Sequence, residues 1–415
     1  MLWSMGLAPI DKTSTDSALT GSTDAVTAYL DNAATTAMHP PAIDAMLPYL
    51  TEHFGNPSGA HSMARDARRA MDDARDQIAS AVGARSGGDV IFCSGGTESD
   101  NLAVLGVAAA EDPSGVSMPV CSAIEHHAVL ESVEHRDGQT VQVGSDGIID
   151  LGHLETILTT ATRPISVVSV MMANNEVGVI QPIAAVAEVV RRHAPGALIH
   201  TDAVQAFCWL DLADITPLVD MVSISAHKFG GPKGIGALIA GDRVALSPRA
   251  IGGSQERERR GGTQNVGGAV AMGVAAELVA TTRTDALERV APLRDLLADS
   301  LVAAIPDGNE TGISDGDRSQ RLASVCHLCI DDIESEALLI LLEREGIFAS
   351  AASSCASGAM EPSHVLGAMG VPRDRAKGSL RLSLGYHTTR AEIDHAIAVI
   401  PTAVEKLRAN ESRNS

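Results

Sequence analysis

Aromatic side chains are scarce in this 415-residue chain: two Trp, three Tyr and five Phe. Its core must therefore be assembled from Ala, Val, Leu, Ile and Met. Positive charge is thin as well. Lys and Arg total 31 against 52 Asp and Glu, a formal net charge of -21, which argues against a protein that grips nucleic acid through its phosphates. The six cysteines (Cys93, Cys121, Cys208, Cys326, Cys329, Cys355) are scattered, without the density of a small disulfide framework, and read as reduced and cytosolic. No apolar run is long enough to span a bilayer, so no membrane partner is expected. Residues 1 to about 27 are rich in Ser, Thr and Asp and lack the basic start and apolar stretch of a signal peptide, so a disordered tail is expected there. Whether translation begins at Met1 or Met5 stays open.

What is present is an alternation of short apolar runs with amphipathic ones. Strands are expected at Val90–Cys93, Val120–Ala123, Ile165–Met171, Leu198–Thr201, Met221–Ser225 and Ile235–Ile239. Helices are expected after a Ser62 cap, over Thr97–Ala110, His126–Val133 and Ile183–His193. Such alternation predicts an α/β fold with a largely parallel sheet covered by helices, and ligands beyond the carboxyl ends of its strands. After the helix-like Ala269–Thr282 the pattern changes to helix Leu287–Ala304, strand Leu322–Ile330, helix Ser335–Glu345, strands Ile347–Ser350 and Ser379–Leu384, and helix Arg390–Leu407. The expected division is a tail over 1–27, a large cofactor-binding domain over 28–283, a smaller C-terminal α/β domain over 284–407, and a tail over 408–415.

Lysine is the rarest charged residue, with Lys12, Lys228, Lys233, Lys377 and Lys406 the full set. Lys228 closes Ser225-Ala226-His227-Lys228 at the end of an apolar strand, where lost hydration lowers an amine's pKa and suits it to Schiff-base chemistry. Lys233, in a Gly-Pro-Lys-Gly turn, is read as structural or solvent-facing. Three further loops point to an anionic, aromatic ligand. Ser94-Gly95-Gly96-Thr97 follows a strand and opens a helix, a phosphate cradle with no Gly-Lys-Ser/Thr of a P-loop. Asp202, in Thr201-Asp202-Ala203-Val204-Gln205, ends a strand and is placed to pair with a protonated ring nitrogen or to cap a helix. Glu125-His126-His127 offers a histidine to stack on a planar ring or move a proton.

Together with Leu30-Asp31-Asn32-Ala33-Ala34-Thr35-Thr36, Phe54-Gly55-Asn56-Pro57-Ser58, Gly95-Gly96-Thr97-Glu98-Ser99 and Asn174-Asn175-Glu176-Val177-Gly178, these motifs resemble, from Tyr29 to about Thr389, the NifS/IscS-like cysteine desulfurases of the class V aminotransferase superfamily. The resemblance implies pyridoxal-phosphate-dependent transferase fold type I, with a mainly parallel seven-stranded sheet in the large domain, and a homodimer with the active site at its interface. It implies that Lys228 forms the Schiff base with pyridoxal 5'-phosphate, that His126 stacks on the ring and that Asp202 bonds its nitrogen. Gln205 and Asn175 would flank the ring oxygen and substrate, while Gly96, Thr97, Ser225 and His227 bind the phosphate, joined by Thr263 from the partner subunit. Arg381 would clamp the substrate carboxylate, assisted by Asn32.

The reaction is chosen by Cys355, set among small residues in Ala351-Ala352-Ser353-Ser354-Cys355-Ala356-Ser357-Gly358. The segment is similar to the nucleophile loop of the desulfurases, whose thiolate takes sulfur from L-cysteine as a persulfide and passes it to an acceptor protein. Iron–sulfur cluster assembly, tRNA thiolation and DNA phosphorothioation all remain open as destinations. A selenocysteine lyase, another class V aminotransferase-like enzyme and a non-catalytic binding homologue are the alternatives. Cys326-His327-Leu328-Cys329 lacks the second pair of a zinc site, and strand alternation turns its two thiols to opposite faces, so a structural role is expected and no metal.

Overall fold

The structure is a computed structural model describing residues 26–112, 114–241, 243–313, 316–351 and 363–414. Cys355 therefore lies outside the described residues, as does most of the N-terminal tail. The described chain opens with a short strand, β1 (Ala28–Tyr29). The central sheet follows with β2 (Val90–Cys93), β3 (Met118–Ser122), β4 (Gln139–Val141), β5 (Ile165–Ser169), β6 (Leu198–Asp202), β7 (Met221–Ser225) and β8 (Gly236–Ala240). Their spatial order is β2-β8-β7-β6-β5-β3-β4, and only β8 runs against its neighbours. The sheet is thus mainly parallel and seven-stranded, as expected. Strands β2, β3, β6, β7 and β8 are buried at every residue; in β7 this includes Ser223 and Ser225, although its apolar alternation reads as a half-buried strand. The edge strand β4 (Gln-Thr-Val) has two exposed polar residues and carried no such signal.

The C-terminal part contributes β9 (Asn309–Glu310), β10 (Val325–Cys329), β11 (Ile347–Phe348) and β12 (Ser379–Ser383). Strands β12, β10 and β9 form an antiparallel sheet, and β1 pairs in parallel with β11. Asp31 bridges to Ser383, so the first described residues are sewn to the last strand of the chain. That stitch carries Ala33 and Ala34 over the carboxyl ends of the central strands.

Helix Ser62–Val82 packs an alanine face (Ala67, Ala70, Ala74) against helix Val266–Ala304. The approach is close: a Cβ on Gly273 would sit 3.0 Å from the Ala74 Cα. Small residues at that contact let two backbones meet at crystal-like density where few aromatic rings are on hand to fill a wider gap. Among the boundaries that differ from expectation, three have a visible cause. His61, not Ser62, caps the first of these helices, its Nδ1 accepting from the Ala64 N–H at 3.2 Å. The two helices expected at Ala269–Thr282 and Leu287–Ala304 are one, Val266–Ala304, passing through residue 283. Arg283 explains the continuity. It looks like a polar break, but it is buried and donates to the Phe207 carbonyl at 3.3 Å, with its guanidinium 5.8 Å from the Phe207 ring. The last helix runs Arg390–Asn414, beyond Leu407, because Arg408 is not a tail residue: its guanidinium bonds both Asp307 carboxylate oxygens at 2.7 and 2.6 Å and the Asp331 carbonyl at 2.8 Å.

Candidate active site

Beyond the carboxyl ends of β5, β6 and β7 lies a cavity of about 340 Å³, where an open α/β sheet gathers its loops. Residues far apart in sequence need not meet, yet Gly96, Thr97, His126, Asn175, Asp202, Gln205, Ser225, His227, Lys228 and Arg381 all line it. Asp202 ends β6 and is buried; its Oδ1 accepts from the Val204 N–H at 2.8 Å. Burial raises its pKa, opposed by that bond and by His126 and Lys228. His126 caps helix His127–Glu134 through Nδ1, which accepts from the Ala128 N–H at 3.1 Å. With Nδ1 an acceptor, the neutral ring carries its proton on Nε2. Burial favours that neutral ring by lowering the pKa.

Lys228 ends the short turn Ala226–Lys228 directly after β7. Its Nζ donates to the Ala33 and Ala34 carbonyls at 2.6 and 2.8 Å, while Gln205 Nε2 donates to the same Ala33 carbonyl at 2.6 Å. Burial first, then the nearby Arg381 charge, bring the amine down to about 8, against the pull of Asp202 and Asp31. Lys233, by contrast, is exposed.

At the other end, the Ser94–Gly96 turn sits directly on β8: a Cβ on Gly236 would lie 2.8 Å from the Gly95 backbone. The Ser225 Oγ is buried here without a hydrogen-bond partner, beside the first helical turn that begins at Gly96. His227 bonds Thr35 Oγ1 through Nδ1 at 3.2 Å, and burial holds its pKa at about 4, so it meets a ligand as a neutral ring. Glu98 accepts from the Ser94 N–H at 2.6 Å and from Arg260 at 2.9 Å, tying the loop that carries Thr263 to this turn. Thr263 itself is exposed and does not line the cavity of its own chain.

On the small-sheet side, Arg381 donates through Nη2 to Asp31 at 2.7 Å and through Nη1 to the Asn175 carbonyl at 3.1 Å, leaving its buried Nε without a partner. Asn32 stays out of the cavity. Its amide nitrogen is spent on the Tyr29 and Ser383 carbonyls, both at 3.0 Å, and its oxygen accepts from Thr36 at 2.9 Å. Asp31, its neighbour in the motif, is the residue that reaches Arg381.

Sequence reasoning passed over Asp100, Met171, Ala173, Val204 and Ser350, which also line the cavity. Asp100 had a usable signal, since it lies one helical turn beyond Gly96 on the same face. The apolar residues had none. The described cysteines are unpaired and buried, and burial pushes the Cys93 and Cys208 thiols up to about 12. Cys326 packs in the main core, whereas Cys329 packs in a separate cluster, 3.4 Å from Thr311 Oγ1, so the two thiols do face apart. Among the described residues no cluster of His, Cys, Asp and Glu is arranged to hold a metal, and no helix is long and apolar enough to cross a membrane.

Taken together, an orphaned hydroxyl over a helix start, a buried carboxylate and an easily deprotonated amine suit a phosphorylated aromatic aldehyde with a basic ring nitrogen. The aminotransferase class-V family matches residues 28–396. A cysteine desulfurase of Cereibacter sphaeroides is 43% identical over 387 residues, covering 92% of this chain and 96% of that protein. The cysteine desulfurase IscS of Methanosarcina thermophila is 41% identical over 393 residues, covering 93% and 94%. The solved structure of a NifS-like protein superposes with a TM-score of 0.83 at 32% identity, covering 92% of this chain and all of that one.

Proposed function

The chain belongs to the aminotransferase class-V family, and we propose that it acts as a cysteine desulfurase, converting L-cysteine to L-alanine and keeping the sulfur as a persulfide on Cys355. The observation that carries this reading is the cavity that joins Lys228, Asp202 and Arg381 in a chain 43% identical to a cysteine desulfurase. Pyridoxal 5'-phosphate, the family's cofactor, fits the donors: Gly96, Thr97, Ser225 and His227 for the phosphate, Asp202 for the ring nitrogen, His126 and Gln205 for the ring, Lys228 for the aldehyde. When bound, it supplies an electron-withdrawing cationic ring beside the substrate's α-carbon.

The chain's own groups do the rest. Arg381 binds the substrate carboxylate, with the unpartnered Nε free to complete a two-point contact and the Asn175 backbone fixing the guanidinium plane. Lys228, neutral near pH 8, takes the α-proton on Nζ. The Cys355 thiolate attacks the substrate sulfur; the carbon–sulfur bond breaks, its electron pair stays with the carbon skeleton, and protons supplied by Lys228 and His126 complete alanine. The product persulfide then passes to an acceptor protein, a scaffold for iron–sulfur clusters or a thiolation enzyme. Unpaired thiols suit a reducing, cytosolic setting.

We assign a homodimer to the apolar stripe on helix Pro40–Thr51, where Ile43, Leu47 and Leu50 are exposed together with Phe54 and Met63. The family resemblance assigns the partner's Thr263 to the phosphate of this cavity, and the exposed Thr263 of this chain is available for that role. The test is Cys355→Ala, which should keep the cofactor's absorbance and lose alanine release from cysteine. Undiminished alanine production contradicts the assignment. An intact protein that releases alanine from selenocysteine but not from cysteine would move the reading to a selenocysteine lyase.

A further inference from the structure

Two carboxyl groups, not one, face the end of the cavity where Asp202 stands. Asp100, in the first helical turn after the Ser94–Gly96 loop, is 1% exposed and lines the same space. Its Oδ1 is buried with no hydrogen-bond partner. Behind it runs a closed polar chain: His200 Nε2 contacts Ser223 Oγ at 2.9 Å, and His200 Nδ1 contacts Ser169 Oγ at 2.8 Å. The Asp100 Oδ1 lies 3.7 Å from His200 Nε2.

None of these neighbours supplies positive charge. His200 is fully buried and neutral, its pKa brought down to about 3 by burial. Asp202 from β6 adds negative charge on the same side, and Glu125, from the loop after β3, is a third buried carboxyl that burial holds well above the usual carboxylate range, its Oε2 likewise unpartnered. The cavity's cations, Lys228 and Arg381, lie with Asp202 and Asp31. Neighbouring buried carboxyls without a counter-ion cannot all ionise. Burial, reinforced by the Asp202 charge and only partly offset by the Ser223 hydroxyl, holds the Asp100 carboxyl well above the usual carboxylate range.

We propose that Asp100 is a positioning residue for Asp202: it carries the proton of this carboxyl pair on its unpartnered Oδ1 and so keeps Asp202 the ionised member that faces the ring nitrogen. His200, Ser223 and Ser169 fix its orientation without neutralising it. The Gly96–Asn101 turn would then serve both ends of one ligand, cradling the phosphate at its start and setting the charge at the ring nitrogen one turn later. This inference rests on the cofactor assignment above.

Asp100→Asn and Asp100→Ala, purified and loaded with pyridoxal 5'-phosphate, decide it. Asparagine keeps a donor of the same shape and no charge. The Asn variant should therefore retain the pH transition of the bound cofactor's absorbance and a kcat within about twofold of the parent. The Ala variant should shift that transition by about one pH unit and lower kcat about tenfold with KM little changed. Ser223→Ala, which leaves both carboxyls in place, should give a smaller shift in the same direction. Equal damage in Asn and Ala variants would mean that Asp100 acts as a charge, and an unmoved transition in Asp100→Ala would mean that it acts not at all; either result overturns the proposal. A parent protein that takes up no cofactor would instead defeat the cofactor assignment, a distinguishable failure.

Discussion

Two cations face one cavity from two different sheets, and they are held in opposite ways. Lys228 follows a strand of the large sheet and donates only to neutral carbonyls, those of Ala33 and Ala34. Arg381 sits in β12 of the small sheet and is paired with the Asp31 carboxylate. Carbonyls stabilise an ammonium less than a carboxylate does, so burial wins at Lys228 and its pKa falls to about 8. At Arg381 the Asp31 carboxylate offsets the burial of the guanidinium. The same cavity thus contains one cation ready to become a nucleophile and base, and one that stays charged and binds. Residues 31–34 serve both, since one short loop supplies the carbonyls for Lys228 and the carboxylate for Arg381.

The contrast can be broken most severely at the amine. Lys228→Ala should abolish the bound cofactor's lysine-linked absorbance and lower alanine production by at least about a thousandfold, because no other described amine lines the cavity. Retained turnover, measured by alanine release, would show that another group does the work. Next comes Arg381→Lys, which keeps charge but removes the planar two-point donor. It should leave the cofactor spectrum intact and raise KM roughly a hundredfold, the cost of degrading one buried, charged contact. A fall in kcat with KM unchanged would place the arginine elsewhere in the reaction.

The smallest effect is a pH dependence. Only the neutral amine captures an aldehyde, so the initial rate of pyridoxal phosphate uptake by cofactor-free protein should rise about tenfold per pH unit up to about 8 and then level off. Stability follows the same group with a definite sign. Its folded pKa lies below the unfolded value of 10.5, so the folded state sheds the proton first and this group's contribution to stability rises between about pH 8 and 10.5. An uptake rate still climbing steeply at pH 10 would show an amine with an ordinary pKa.

Much of this arrangement was readable in advance, and the reasons are physical. Mostly apolar strand stretches announce themselves, and the polar residues at or just beyond their ends, Asp202, Ser225 and Lys228, stand out against that background. Motif resemblance then supplied Arg381, which no local pattern distinguishes from any other strand arginine. What stayed hidden depends on pairing across long separations. Asp31 against Arg381 is a contact that no spacing rule reports. Asn32 was expected to assist at the substrate, but its amide nitrogen ties Tyr29 of β1 to Ser383 of β12 and its oxygen accepts from Thr36. Arg283 concealed a continuous helix because a buried arginine and an exposed one look alike in sequence.

The central claim is that sulfur from cysteine comes to rest on Cys355. Mass analysis of peptides from the cofactor-loaded protein, after brief exposure to L-cysteine without an acceptor, tests it most directly. The account predicts one additional sulfur atom on the peptide containing Cys355 and none on the buried Cys93, Cys121, Cys208, Cys326 or Cys329. Alanine released with no added sulfur on Cys355, or with the sulfur on another of those thiols, would contradict it.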